Sequence, residues 1–449
     1  MSALLARARV ALALGFSLSA CATRQSEHYE ALRAQLEAPA PPGAAAEDPL
    51  AGRAELSRAE LVSLALARNP GVATANETAR AALARWPQET ALPDPMFAWA
   101  TRPASYSSNE VDPANDFELS QALPFPGKLT LRGERALAEA DAAATDVDAT
   151  RQRLAAAASQ LFDAWWLADR ALELNAEQRA LLDDAHQAAL ARYSAGTGPL
   201  ADALGAESER AMLLHREIEL RAEHTIVSER IATLLHLPLA TALPAAPREL
   251  DANDSAELDS AALTARALEQ RPELRALAAE VRAREADVSL AEREFLPDFT
   301  LRGGYEGSWQ EDPLKTVVGV ELNLPLQLGR RRAALAEAEA RLAREQSRTK
   351  RMQDRVRLEV GTAVERLREA HHLLELSETR LLPAARDRAA SARSAFTSGR
   401  TGFLELVDAE RGLRAAEQSA FEARAGLSSR RAQLARAIGE LAGAPEEAP

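Results

Sequence analysis

The chain repeats itself across about two hundred residues, and that duplication constrains its fold more than any other feature. Tyr193-Ser-Ala-Gly196-Thr-Gly-Pro-Leu-Ala-Asp202 recurs as Phe396-Thr-Ser-Gly399-Arg-Thr-Gly-Phe-Leu-Glu405, displaced by 203 positions. Upstream, Leu66-Ala-Arg-Asn-Pro70 answers to Leu268-Glu-Gln-Arg-Pro272, and Leu92-Pro-Asp-Pro-Met-Phe97 answers to Leu296-Pro-Asp-Phe-Thr-Leu301, at offsets of 202 and 204. Three matches in one order define two halves, residues 57–258 and 259–442, followed by a short tail, 443–449. A unit this long exceeds the roughly 20–50-residue period of solenoid repeats, so each half holds several elements.

Residues 1–20 have the three parts of an export signal: Arg7 and Arg9, an apolar run from Val10 to Leu18, and small residues before Cys21. That run falls short of the ~20 residues a spanning helix needs, and no later window is apolar enough. Leu18-Ser-Ala-Cys21 resembles the bacterial lipobox, which implies that Cys21, the only cysteine, becomes a lipidated N-terminus. Ala22 after it resembles lipoproteins sorted to the outer membrane. An ordinary signal with a chance cysteine is the plainer alternative. Residues 22–55, rich in Ala and Pro, read as an extended linker, so 21–56 forms the anchored N-terminal segment. A net charge of −13 without a basic patch argues against nucleic acid.

Within each half the same plan repeats. Ser57 with Glu60 forms a capping box, and Asp259 opens the second half in the same way. Helices are expected to about Glu89 and Glu294. Alternation of Phe97 and Trp99, of Phe117, Leu119 and Leu123, of Phe299, Leu301 and Tyr305, and of Val318, Val320 and Leu322 predicts strands near 96–106, 116–124, 298–308 and 314–324. Helical hairpins then follow at about 128–237 and 330–441. The first arm, from Lys128 to Tyr193, has no proline, and the second is interrupted only by Gly361 and Pro383. At 1.5 Å per residue each arm is roughly 100 Å long. Leu154, Ala158, Leu161, Trp165, Ala168 and Leu172 are spaced as a coiled-coil seam, as are Val356, Val360, Ala363, Leu367, Ala370, Leu374 and Leu381.

With its duplication, its proline-bracketed strand hairpins, the Leu296-Pro-Asp-Phe299 lead-in, the Leu123-Pro-Phe-Pro-Gly-Lys128 exit and the repeated Tyr/Phe-x-x-Gly motif, the chain resembles the TolC-like outer membrane efflux proteins, the outer membrane factor family. The exit motif and the Leu92-Pro-Asp-Pro95 lead-in are most similar to the heavy-metal, CzcC-like branch. The resemblance implies a mainly α fold with a membrane β-barrel, in which a homotrimer of duplicated units forms a 12-stranded barrel continued by a long periplasmic α-helical barrel. It also implies an outer-membrane exit channel, lipid-anchored, fed by an inner-membrane pump of the RND type through a periplasmic adaptor (membrane fusion) protein. The strand count independently favours assembly, since four strands cannot close a barrel and leave edges in lipid.

The family match carries Glu405 and Asp408 to the aperture ring. As plain residues they are also ordinary acids near a helix N-terminus. Gly196 and Gly399 become the tips that contact the adaptor, and Tyr193, Asp202, Phe396 and Arg400 become candidates for an aperture latch. Thr401 stands where a basic latch residue is expected. The seven histidines lack ligand spacing: His371 and His372 are adjacent and point about 100° apart on a helix. No metal, cofactor or enzymatic activity is expected, because no nucleophile elbow, Walker motif, dinucleotide loop or zinc signature is present. A lipid-anchored periplasmic coiled-coil scaffold or adaptor accounts for the helices but not for two strand hairpins at equivalent positions. An envelope hydrolase needs a catalytic constellation that the sequence lacks.

Overall fold

A computed structural model describes residues 24–37, 49–50, 52–107, 115–250, 259–307 and 315–442. Cys21 and the signal segment lie outside the described residues. In chain order the elements are α1 (24–37), α2 (Arg58–Arg68), α3 (Pro70–Leu83), α4 (Arg85–Thr90), β1 (Met96–Thr101), β2 (Asn115–Leu123), α5 (Lys128–Ser194) and α6 (Leu200–Leu234). The second half gives α7 (Ser260–Gln270), α8 (Pro272–Arg293), β3 (Phe299–Glu306), β4 (Thr316–Leu322), α9 (Leu328–Leu376), α10 (Leu382–Thr397) and α11 (Phe403–Ile438). The chain divides into two units, one made of residues up to 38, 74–147 and 273–352, the other of 39–73, 148–272 and 353 onward.

In the first unit the four strands make one antiparallel sheet in the order β1-β2-β3-β4, so each half supplies one hairpin. The register sets Trp99 opposite Phe117, Phe117 opposite Tyr305, Leu301 opposite Val320 and Phe299 opposite Leu322. Because successive side chains alternate, these residues share one face, while Glu118, Ser120, Arg302 and Glu321 share the other. The apolar face is open: Trp99 is 62% and Val318 85% exposed. β1 ends at Thr101 rather than near 106, because Pro103 has no N–H for a ladder and opens a 3-10 turn, Pro103–Ser107. β3 and β4 are likewise shorter than expected. The tips at 108–114 and 308–314 lie outside the described residues.

The expected linker is corrected by α1, which covers residues 24–37. The Pro-rich stretch begins only at Pro39, and before it Tyr29, Leu32 and Leu36 recur at helical spacing. Leu32 and Leu36 are buried with Ala79, Leu83, Leu137 and Ala140, and Tyr29 stacks on Trp86 at 4.7 Å. A second departure is the break between α3 and α4. Pro87 has no N–H for the Leu83 carbonyl and its ring crowds that carbonyl, so the helix stops at Leu83 and restarts at Arg85.

Two large cores lie in the second unit. Leu56, Leu61, Phe162, Trp165, Trp166, Ile231 and Leu235 form one, with the Trp166 indole N–H donating to the Pro247 carbonyl at 2.8 Å. Leu182, Ala206, Leu213, Phe396, Phe403, Leu406 and Val407 form the other. The Ser57–Glu60 capping box and the Asp259 N-cap are formed, although Asp259 acts without a box partner. α5 runs unbroken for 67 residues. Its counterpart does not: a π turn, Ser377–Leu381, separates α9 from α10, and the Leu382 N–H reaches back to the Ser377 carbonyl. Pro383 lacks the N–H that Thr379 needs, and the extra residue in the turn relieves the crowding. The buried stripe differs from the expected seam in two places. Val356, Val360, Leu367, Ala370 and Leu374 are buried, joined by Val364 instead of Ala363, whereas Leu381 is 47% exposed.

Candidate functional site

Where β2 becomes α5, the exit motif of the first half meets the lead-in motif of the second. Lys128 is 1% exposed, and its ammonium lies 3.0 Å from Asp298 Oδ1 and 3.2 Å from Glu294 Oε1. Asp298 Oδ1 also accepts the Phe125 N–H at 2.7 Å, so one carboxylate holds both the strand end and the helix start. Gly127 precedes Lys128 with φ of 89°, where a side chain is strained, and an added Cβ would lie 1.4 Å from Arg293 Nη1. That guanidinium donates to the Pro126 carbonyl at 2.9 Å. The sequence displayed both motifs; that they are partners across 170 positions was not readable from it.

At the other end of the hairpins, in the second unit, the repeated motif builds the same cap twice. Gly196 and Gly399 adopt φ of 70° and 72°. The Thr197 N–H donates to the Arg192 carbonyl at 2.9 Å, and the Arg400 N–H to the Ala395 carbonyl at 2.8 Å. These six-to-one bonds close the helices in Schellman fashion, and only glycine takes the left-handed position without cost.

The latch candidates separate. Phe396 is buried, edge-on to Phe403 at 6.1 Å, and Arg192 sits over its ring at 5.1 Å. Tyr193 is 47% exposed, and Arg400 is exposed with its Nε–H donating to Ser398 Oγ at 3.0 Å. Asp202 stands half-buried in the first turn of α6. Arg192, which sequence reasoning passed over, is the cation that packs on the Phe396 ring. Its position directly before the repeated motif was the available signal.

The aperture acids also differ. Glu405 is exposed in the first turn of α11, whereas Asp408 pairs with Arg388 of α10, both side chains being more than half exposed. Two residues further on, buried Glu410 receives Arg393, with Nη2 at 2.7 Å. Glu209 of α6, also buried, receives Arg411 of α11 through two nitrogens, one at 3.1 Å. That pair ties the hairpin of the first half to the hairpin of the second.

Another buried carboxylate lies far along α5 from these caps. Asp163 is 4% exposed; its Oδ1 accepts from Arg58 Nη2 of α2 at 2.5 Å and from Ser428 Oγ of α11 at 3.0 Å. Burial pushes its pKa up to about 6, against the opposing pull of Arg58 and Ser428.

Comparison with known proteins places this geometry. Residues 263–440 match the family model described as outer membrane efflux protein. No curated protein matches the sequence. Among solved structures, the outer-membrane channel OprN is 22% identical, with 91% of this chain and 99% of that chain covered and a TM-score of 0.71. CusC is 17% identical, covering 90% and 99%, at a TM-score of 0.71. The open-state MtrE outer membrane channel of Neisseria gonorrhoeae is 18% identical, covering 87% and 91%, at 0.72. At such identities these structures establish the fold, while the sequence match falls in the second half. Residues 263–440 thus resemble the outer membrane efflux protein family, and the chain as a whole shares the fold of these channels.

Proposed function

We propose that the protein is the outer-membrane exit duct of a tripartite efflux system, with three copies sharing one barrel. The observation that carries this reading is the two-faced sheet with β1 and β4 as free edges. An exposed apolar face suits lipid and an opposite polar face suits a lumen, but open strand edges are not tolerated in hydrocarbon. Three chains of four strands give 3 × 4 = 12, an even number that closes a barrel. The helical hairpins then serve as the periplasmic wall, with the Gly196 and Gly399 caps toward an adaptor and, beyond it, an inner-membrane pump. Cys21 adds a lipid anchor.

In this reading Glu405 and Asp408 contribute 3 × 2 = 6 carboxylates around the aperture. Like charges ~8 Å apart in water repel by only about 0.5 kcal/mol, so a hydrated ring stays ionised and attracts cations. Because Arg388 already neutralises part of Asp408, Glu405 is the stronger contributor. Full-length protein in detergent is expected to have the native mass of three chains and to conduct in planar bilayers. Glu405→Gln is expected to lower cation selectivity more than Asp408→Asn. A strand-containing monomer without conductance overturns the channel reading, and unchanged selectivity in the double variant removes the ring.

A further inference from the structure

A cavity of about 440 Å³ in the second unit lies between α5, α6 and α11. Three arginines line it, Arg216, Arg411 and Arg414. Arg411 is paired with Glu209, and Arg216 with Glu219 at 2.9 Å. Arg414 is half-buried and, among the described residues, has neither an ion-pair nor a hydrogen-bond partner. Its charge is desolvated, which lowers its pKa against the attraction of Glu209, and the neighbouring Arg411 and Arg216 add repulsion. Across the cavity Asn175 is buried at 3% exposure; its amide N–H donates to the Leu213 carbonyl at 3.2 Å, and its Oδ1 has no partner. An unpaired cation in a partly apolar cavity is costly when left unsatisfied.

We propose that this cavity binds a small carboxylate or phosphate-type oxyanion, with Arg414 as its principal ligand. A planar guanidinium takes either anion through two parallel N–H donors. Leu174 and Leu213 supply an apolar wall, which favours a carboxylate carried on a hydrophobic body over a bare ion.

The test uses the full-length protein in detergent at fixed ionic strength, titrated separately with benzoate, inorganic phosphate and neutral benzyl alcohol while thermal unfolding is followed. Benzoate is expected to raise the midpoint saturably, phosphate more weakly, and benzyl alcohol not at all. Arg414→Gln is expected to weaken apparent benzoate affinity by about tenfold or more, the scale of one charge-assisted pair, with Arg414→Lys intermediate. Gln418→Glu, one turn along α11, places a carboxylate beside Arg414; it is expected to raise the midpoint without ligand and to abolish the benzoate response. Absence of a saturable anion response, or an Arg414→Gln response equal to the parent's, overturns the proposal. If Arg414→Gln instead lowers the native mass while no anion binds, the guanidinium serves contact between copies and the small-anion site is refuted. None of these readouts depends on transport, so their failure leaves the channel reading intact.

Discussion

Single residues in this protein are set by partners far away in the chain, and Asp163 shows the energetic consequence. Its pKa of about 6 exceeds the ~3.9 of an unfolded aspartate, so the folded state holds its proton more tightly. The stability this group contributes is therefore complete below about pH 4 and is lost as pH rises through about 6. A shift of that size corresponds to about 3 kcal/mol at most. Asp163→Asn is neutral at every pH and keeps an acceptor for Arg58 and Ser428. It is expected to flatten the fall in unfolding midpoint between pH 5 and pH 7.5 relative to the parent. Equal pH slopes in the two proteins would show that Asp163 titrates normally. None of this was legible beforehand, since Arg58 and Ser428 stand 105 and 265 positions away. The same distance hid Arg411 from Glu209.

At the scale of elements the sequence was much more explicit, because caps, strand alternation and proline punctuation act over a few residues. Ser57 with Glu60, Asp259 and the paired glycine caps stand where local patterns place them, and the four strands fall on the expected segments, three of them shorter. What those patterns missed were consequences of proline one turn away: the α3–α4 break before Pro87 and the π turn before Pro383. Helix α1 was missed because its short apolar stripe adjoins a Pro-rich stretch that dominated the composition. The β2–α5 junction offers the sharpest test at this scale. Gly127→Ala combines a left-handed backbone with a Cβ inside the Arg293 guanidinium. The substitution is expected to cost more than the ~1 kcal/mol of an ordinary turn glycine, through loss of the Arg293 bond to Pro126. Gly329→Ala, with open space around its Cβ, serves as the control. Similar unfolding midpoints for the two variants would mean that the junction has slack.

For the whole molecule, the strand faces decide what surrounds the sheet. Val320→Arg places a charge on the apolar face, where a membrane midplane penalty of about 2–4 kcal/mol applies. Glu321→Gln, its neighbour on the polar face, carries no such penalty. The first is expected to reduce the amount of protein recovered in the outer-membrane fraction, and the second to leave it near the parent level. Equal recovery would place both faces in water. The register between β2 and β3 has a further consequence, which concerns ancestry. That seam joins the two halves of one polypeptide. In the proposed trimer, six unfused copies of a half would have had six hairpin seams to close by collision. Fusion makes three of them intramolecular and fixes their order around the ring. It also releases the halves from being identical: one arm runs as a single helix while the other carries Pro383 and a π turn, and the acids at the two caps differ. Gene duplication here traded a higher symmetry for a division of labour.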